Sequence, residues 1–271
     1  MAYSAKILAD SFNSATGGRL TTFEISYPRI VHGEIMTHRV MSRNSASSRA
    51  IPVTKLIKAV EEDPFIPIWW GKHQSGMQAH EELDETRLKA AREAWLGARD
   101  EAVNTAKYLN NLGLHRQIAN RGLEPWMWIT VIISATEWDN FFRLRCHPDA
   151  QPEIRKIAEM MQELYRNSTL EILLPGEWHR PLLFDEADLD DVSEENKCKI
   201  SVGRCARVSY LTHDGKRDIE ADIKLHDRLL PPKHFSPFEH VAQAWETPIR
   251  SGNFTGGWHQ YRQDVDKDFL T

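Results

Sequence analysis

The chain has 271 residues, 41% of them hydrophobic and 27% charged, which allows one large domain or two small ones and is ordinary for a soluble globular protein. A net charge of -5 argues against broad electrostatic binding of duplex nucleic acid and leaves room for a local cationic pocket. Three cysteines without CxxC spacing, Cys146, Cys198 and Cys205, point away from a disulfide framework or a zinc site and fit a reducing compartment.

The N-terminus lacks the long apolar core of a signal peptide, and the longest apolar stretch, Trp126 to Ala135, is too short to span a bilayer. The expectation is a cytoplasmic protein without membrane contact. Leu20, Phe23, Ile25 and Tyr27 alternate in part and then meet Pro28. This predicts a strand, then a helix beginning near Pro28 with Ile30, Val31, Ile35 and Met36 on its buried face. His38 and Arg39 then fall near the helix end, with a Ser-rich loop beyond. Residues 37–49 interleave His38, Arg39, Arg43 and Arg49 with Ser42, Asn44, Ser45, Ser47 and Ser48. Arginine forks grip phosphate, and hydroxyls and amides fix orientation. The run suits a nucleotide or flavin dinucleotide; a plain helix end running into a Ser-rich loop has the same composition.

Pro52, Pro64 and Pro67, with Phe65, Trp69 and Trp70, predict an irregular aromatic-rich loop. A long helix follows over 79–112, with Leu83, Ala91, Ala94, Trp95, Ala98, Ala102, Ala106 and Leu109 near one face and Gly113 as its stop. A second helix, apolar and buried, is expected from Trp126 to Phe142. A third follows Asp149, with Pro152 and Glu153 in its first turn and a stripe of Ile154, Ile157, Ala158, Met161, Leu164 and Tyr165. Residues 185–197 are acidic and read as a solvated linker. The pattern restarts at Gly203 to Tyr210, and another helix is expected over 218–230. Ser236-Pro237-Phe238-Glu239-His240 is a turn carrying a proton-active Glu-His pair beside the apolar run Val241 to Trp245.

Several of these segments resemble the flavin-dependent thymidylate synthases. Their signature is Arg-His-Arg, seven residues, then Ser; here it reads Thr37-His38-Arg39, seven residues, then Ser47. Ser42, Asn44, Ser47 and Arg49 match the longer pattern, while Thr37 replaces an Arg and Ser45 a Glu. Asn140, Phe141, Leu144, Arg145, Ala150, Gln151, Glu153 and Ile154 match a second family segment. Ile118-Ala119-Asn120-Arg121 is similar to a third after a shift of one residue. Ala206 to Tyr210 and Ser236 to His240 resemble segments that stand first in the family and last here. The order is that of a circular permutation with 185–197 as the joint. Gly33 and Glu34 stand where the family has an Arg-Gln pair, and Gln260 and Arg262 are candidates to restore them.

The resemblance implies an α/β (α+β) fold with a mixed sheet and long helices, in a single domain over 1–271, and a homotetramer with active sites between subunits. It implies C5 methylation of a pyrimidine deoxynucleotide, dUMP, with methylenetetrahydrofolate as carbon source and FAD reduced by NADPH. His38, Arg39, Asn44, Asn140 and His240 are the implied flavin contacts. Ser45, Ser47, Arg49, Arg121 and Arg145 are the implied nucleotide contacts, and Ser47, Arg145 and His240 the implied catalytic group. No metal set is expected, and no cysteine occupies a nucleophile motif. The departures at Gly33, Glu34, Thr37 and Ser45 keep two alternatives open: a hydroxymethylase acting on dUMP or dCMP, and a non-catalytic flavin- or nucleotide-binding protein.

Overall fold

The computed structural model describes residues 3–183, 189–210, 218–231 and 234–267. Two long strands, β1 (Ser4–Asn13) and β2 (Arg19–Pro28), form an antiparallel hairpin. The hairpin turn is held by Asn13, whose Oδ1 accepts from Ala15 N and whose Nδ2 donates to the carbonyls of Trp245 and Gly257. Gly18 in this turn lies against Gly256, and a Cβ there would sit 2.1 Å from the Gly256 carbonyl oxygen. The turn therefore tolerates only glycine at the point where the C-terminal segment crosses it.

β2 pairs with β4 (Trp128–Ala135), β4 with the short strand β3 (Ser42–Ser45), and β1 runs parallel to β5 (Glu171–Leu173), giving a mixed sheet in the order β3-β4-β2-β1-β5. This α/β architecture with long helices is the expected fold class. The inner strands are covered on both faces. Phe23, Ile25, Tyr27, Val131 and Ile133 pack against α5 (Asp139–Arg145) and α6 (Pro152–Asn167). On the opposite face, Ile132 packs with Leu8, Cys205 and Val208, the last two on α7 (Glu194–Tyr210). A second sheet of β6 (Trp178–His179), β7 (Ala242–Ala244) and β8 (Trp258–Gln260) joins this side through Leu20, Ala242, Ala244 and Trp258.

Several sequence-based expectations are corrected. The helix expected over Trp126 to Phe142 is strand β4 followed by α5. Ile129, Thr130, Val131, Ile132 and Ile133 are β-branched, and burial of both faces erases the period-two pattern that would have marked a strand. The Ser-rich loop contains edge strand β3. β2 continues through Pro28 into a 3-10 turn (Arg29–Val31) and the short helix α1 (His32–Met36). Val31 and Ile35 are buried, but Ile30 and Met36 are exposed.

The loop expected after Pro52 begins with helix α2 (Val53–Glu62), whose Val53, Leu56, Ile57 and Val60 pack against α3 (Glu85–Asn111) at Val103 and Ala106. α3 ends at Gly113, which has a φ of 77°. In the acidic stretch, Asp185, Glu186 and Asp188 lie outside the described residues. Glu194 and Glu195 form the first turn of α7 rather than a linker, with Glu194 bonded to Arg180 and Lys197. Gly203 on α7 abuts α8 (Ile219–Leu229): a Cβ would come within 2.4 Å of the Asp222 carbonyl oxygen. The buried Asp222 carboxylate takes Arg204 and Arg207 at that crossing.

Candidate functional site

The signature run begins at the end of α1. His38 is buried, with its ring edge-on to Phe141 at 5.0 Å between centroids. Arg145, the last residue of α5, reaches back across 107 positions to donate from Nε to His38 Nε2 at 2.9 Å. Its Nη2 donates to Thr37 Oγ1 at 3.2 Å and to the Glu34 carbonyl at 3.4 Å. Its Nη1 has no partner among the described residues. Because a guanidinium only donates, His38 Nε2 is the acceptor and the proton of the neutral ring is on Nδ1. Burial first, then the charges of Arg145 and Arg43, lower the His38 pKa to about 4, so the ring is neutral at pH 7.

Arg43, counted in the sequence among the arginines suited to phosphate, instead holds this corner together. Its Nη1 donates to the carbonyls of His38 (2.8 Å), Ile35 (3.2 Å) and Met36 (3.3 Å), so the carbonyl end of α1 is capped by cations. Arg39 is exposed and unpaired among the described residues. Asn140 is exposed and accepts from Arg143 at 2.8 Å. Thr37 Oγ1 itself donates to the Glu34 carbonyl at 2.6 Å.

β3 alternates. Arg43 and Ser45 face the α1 and α5 side, while Ser42 and Asn44 face α7 and the C-terminal segment. Asn44 Nδ2 donates to the Cys205 carbonyl at 3.0 Å, and Ser42 Oγ accepts from Asn253 and from Gln260. Gln260 also donates to the Glu239 carbonyl, and Arg262 pairs with the Glu239 carboxylate. Gln260 thus fastens the C-terminal segment to the signature strand, while Arg262 ties that segment to its own turn at Glu239.

Past β3, Ser47 caps the 3-10 turn Ser48–Ala50 by accepting from Arg49 N at 3.3 Å, and the exposed Arg49 side chain bonds only Ser47, through Nε, among the described residues. The buried Asn120 secures this turn by donating to the carbonyls of Ser48 (2.7 Å) and Ile51 (2.9 Å). Glu124 accepts from Ser48 Oγ and Arg121 and pairs with Arg29. These partners hold its pKa low against the opposing effect of burial. Arg121 is therefore engaged by a carboxylate. Beside the turn lies a largely apolar cavity of about 390 Å³, lined by Ala46, Ile51, Leu56, Trp128 and Val208, with Arg29 and Lys55 as its cations. Its volume is in the range that holds small ligands.

His240 ends the 3-10 turn Ser236–His240 and is fully buried. Its Nδ1 lies 2.8 Å from Ser134 Oγ. Ser134 faces the α7 side of β4, whereas Ile133 faces the layer that holds His38, so the two histidines lie on opposite faces of the sheet near its β3 edge. The structure thus gathers His38, Thr37 and Arg145 at one corner and Ser47, Arg49 and Arg121 around the next turn. His240 does not join either group within one chain.

The chemistry of the exposed donor set fits an anionic dinucleotide: among the described residues Arg39 and Arg49 have no carboxylate partner, and Arg145 Nη1 has no partner. Cys198, whose pKa is pushed up by burial to about 12, and Cys205, raised further by burial, are no thiolates at neutral pH. Among the described residues no His, Cys, Asp and Glu cluster suits a metal, and no helix is long and apolar enough to cross a membrane.

Residues 4–169 match the family model of the thymidylate synthase complementing protein. The segments Ala206 to Tyr210 and Ser236 to His240 lie outside that span. No curated protein matches the chain at a significant level. Solved structures similar to it include a UMP/dUMP methylase, PolB, from Streptomyces cacaoi bound with 5-Br UMP. It has a TM-score of 0.49 and 16% identity, over 60% of this chain and 89% of that one. A structure of PolB with 5-Br dUMP gives 0.46 and 20%, over 56% and 69%.

Proposed function

The chain belongs to the thymidylate synthase complementing protein family, and on that premise we propose that it methylates dUMP at C5 to give dTMP, using a flavin and a folate. The observation that carries this reading is the corner where Arg145 meets Thr37 and His38 across 107 positions: two family segments far apart in sequence converge on one spot. Ser45, Ser47, Arg49, Arg121 and Arg145 are the nucleotide side. His38, Arg39, Asn44, Asn140 and His240 are the flavin side.

FAD, when bound, supplies the hydride that it takes from NADPH, and methylenetetrahydrofolate supplies the carbon. What the chain's own residues do is bind, orient and stabilise charge. Arg39 and Arg49 offer phosphate guanidinium groups that no carboxylate among the described residues engages. Arg145 is anchored by Nε and Nη2, which leaves Nη1 for the nucleotide. His38, held neutral, presents Nδ1–H as a donor. Asn120 and Ser47 hold the turn that displays Arg49.

The permuted order is supported by the packing of the C-terminal segment on the signature strand, where Gln260 and Asn253 both donate to Ser42. A homotetramer is supported by α3, a 27-residue helix with only Val103 and Ala106 buried in one chain. The single domain over 1–271 and the cytoplasmic location are part of the same reading. The deciding experiment is mass analysis of the nucleotide after incubation with dUMP, methylenetetrahydrofolate, FAD and NADPH. dTMP supports the proposal. A 5-hydroxymethyl product moves the assignment to a hydroxymethylase, with dCMP as the next substrate to try. An unmodified nucleotide with bound flavin makes the chain a binding protein.

A further inference from the structure

Five buried groups form one unbroken hydrogen-bonded line through the seam between the two sheets. Ser11 Oγ meets His179 Nδ1 at 2.8 Å, His179 Nε2 meets Thr22 Oγ1 at 2.7 Å, Thr22 Oγ1 meets Ser134 Oγ at 2.6 Å, and Ser134 Oγ meets His240 Nδ1 at 2.8 Å. All five residues are fully buried. At the far end, His240 Nε2 is closed to solvent and has no partner among the described residues. His179 and His240 are both neutral, because burial lowers their pKa values to about 3.

Each hydroxyl has one hydrogen, so the line has only two self-consistent directions. If His240 donates from Nδ1, the direction runs toward Ser11. The Ser11 hydroxyl hydrogen is then buried without an acceptor, because Ser11 Oγ meets only His179 among the described residues, and His240 Nε2 is left as an unmet acceptor. If Ser11 donates to His179 Nδ1, every link is satisfied and the single unmet group is His240 Nε2–H. Buried unmet donors are costly, so the second direction wins.

We infer that Ser11 and His179, acting through Thr22 and Ser134, are positioning residues that fix His240 as a neutral Nε2–H donor, and that this donor serves a carbonyl oxygen or ring nitrogen of the bound heterocycle. The second half rests on the reading of His240 as a residue of the flavin and nucleotide site. A neutral donor of this kind stabilises negative charge on its acceptor without giving up a proton.

The test is magic-angle-spinning NMR of the full chain labelled with 15N-histidine, which distinguishes the two neutral tautomers, with resonances assigned through single His→Gln variants. The expected result is Nε2–H at both His179 and His240. In Ser11→Ala, both directions leave one group unmet at each end, so both histidines should become tautomer mixtures, and Ser11→Thr should restore the single form. Nδ1–H at His240 in the unaltered chain, or a His240 that ignores Ser11→Ala, overturns the relay. Titration with FAD and, separately, with dUMP should shift the His240 Nε2–H resonance for whichever supplies the acceptor. Bound flavin and bound nucleotide with no shift overturn the donor assignment. A chain that keeps the tautomer pattern but binds neither molecule counts against the methylation reading, and the relay stands.

Discussion

Replacing Arg145 with Ala removes one well-placed contact, Nε to His38 Nε2 at 2.9 Å, and two longer ones, to Thr37 Oγ1 at 3.2 Å and the Glu34 carbonyl at 3.4 Å. A hydrogen bond from a charged donor contributes roughly 1.5–3 kcal/mol, and this guanidinium is half-buried, so the expected loss of stability is about 2 kcal/mol. The same substitution removes a positive charge that helps hold the His38 pKa near 4. That pKa should rise, yet stay below its ordinary 6.5, because burial is its first cause and remains. Urea unfolding followed by Trp fluorescence reads the first quantity, and an NMR titration of His38 reads the second. dUMP affinity should fall by about 1.5–3 kcal/mol. Arg145→Lys keeps the charge without the fork, so it should hold the His38 pKa down while failing to restore stability or affinity. If Arg145→Ala changes stability by less than about 0.5 kcal/mol, as surface substitutions do, and leaves the His38 titration in place, the corner is not built as described.

Purified protein should carry, or take up, a flavin with visible absorbance, and Arg39→Ala should lower its occupancy; a protein that stays colourless with added FAD would end the flavin reading. Four histidines, His32, His38, His179 and His240, are held neutral with pKa values of about 4, 4, 3 and 3, against 6.5 when unfolded. Between those values the unfolded chain binds more protons, so stability is fully present above pH 6.5 and should decline as pH falls toward 4; a urea midpoint that stays flat from pH 7 to pH 4 contradicts it. Trp258 is fully buried and donates to the Gly18 carbonyl, so Trp258→Ala should cost about 3–5 kcal/mol, and truncation after residue 235 should abolish flavin binding together with the fold. A truncated chain that unfolds cooperatively and keeps its flavin would show that the site is built without the C-terminal segment. Asn120→Ala removes both donors that hold the Ser48–Ala50 turn, and should weaken dUMP binding more than it weakens FAD binding; equal losses would place the turn outside the nucleotide site.

Local signals carried much of the architecture. The stripe from Ile154 to Tyr165 follows one helical face, and α6 is that helix, with Pro152 in its first turn. Gly113 marked the end of α3, and Pro237 the turn that ends at His240. The family, too, was legible, because its signature is short and contiguous over residues 37–49. What one dimension could not carry were properties of contact. β4 is buried on both faces, so it shows no alternation of apolar and exposed polar residues, and only its place between β2 and β3 makes it a strand. β3 looked like a loop because its inward residues are Ser42 and Asn44, which are buried by amides and carbonyls from residues 205, 253 and 260 and not by apolar neighbours. His179 stood in no motif at all. Its place between Ser11 and Thr22, and the opposite faces taken by His38 and His240, follow from how the two sheets dock. Docking is decided by residues more than a hundred positions apart, whose hydrogen bonds have no spacing that a sequence pattern can record.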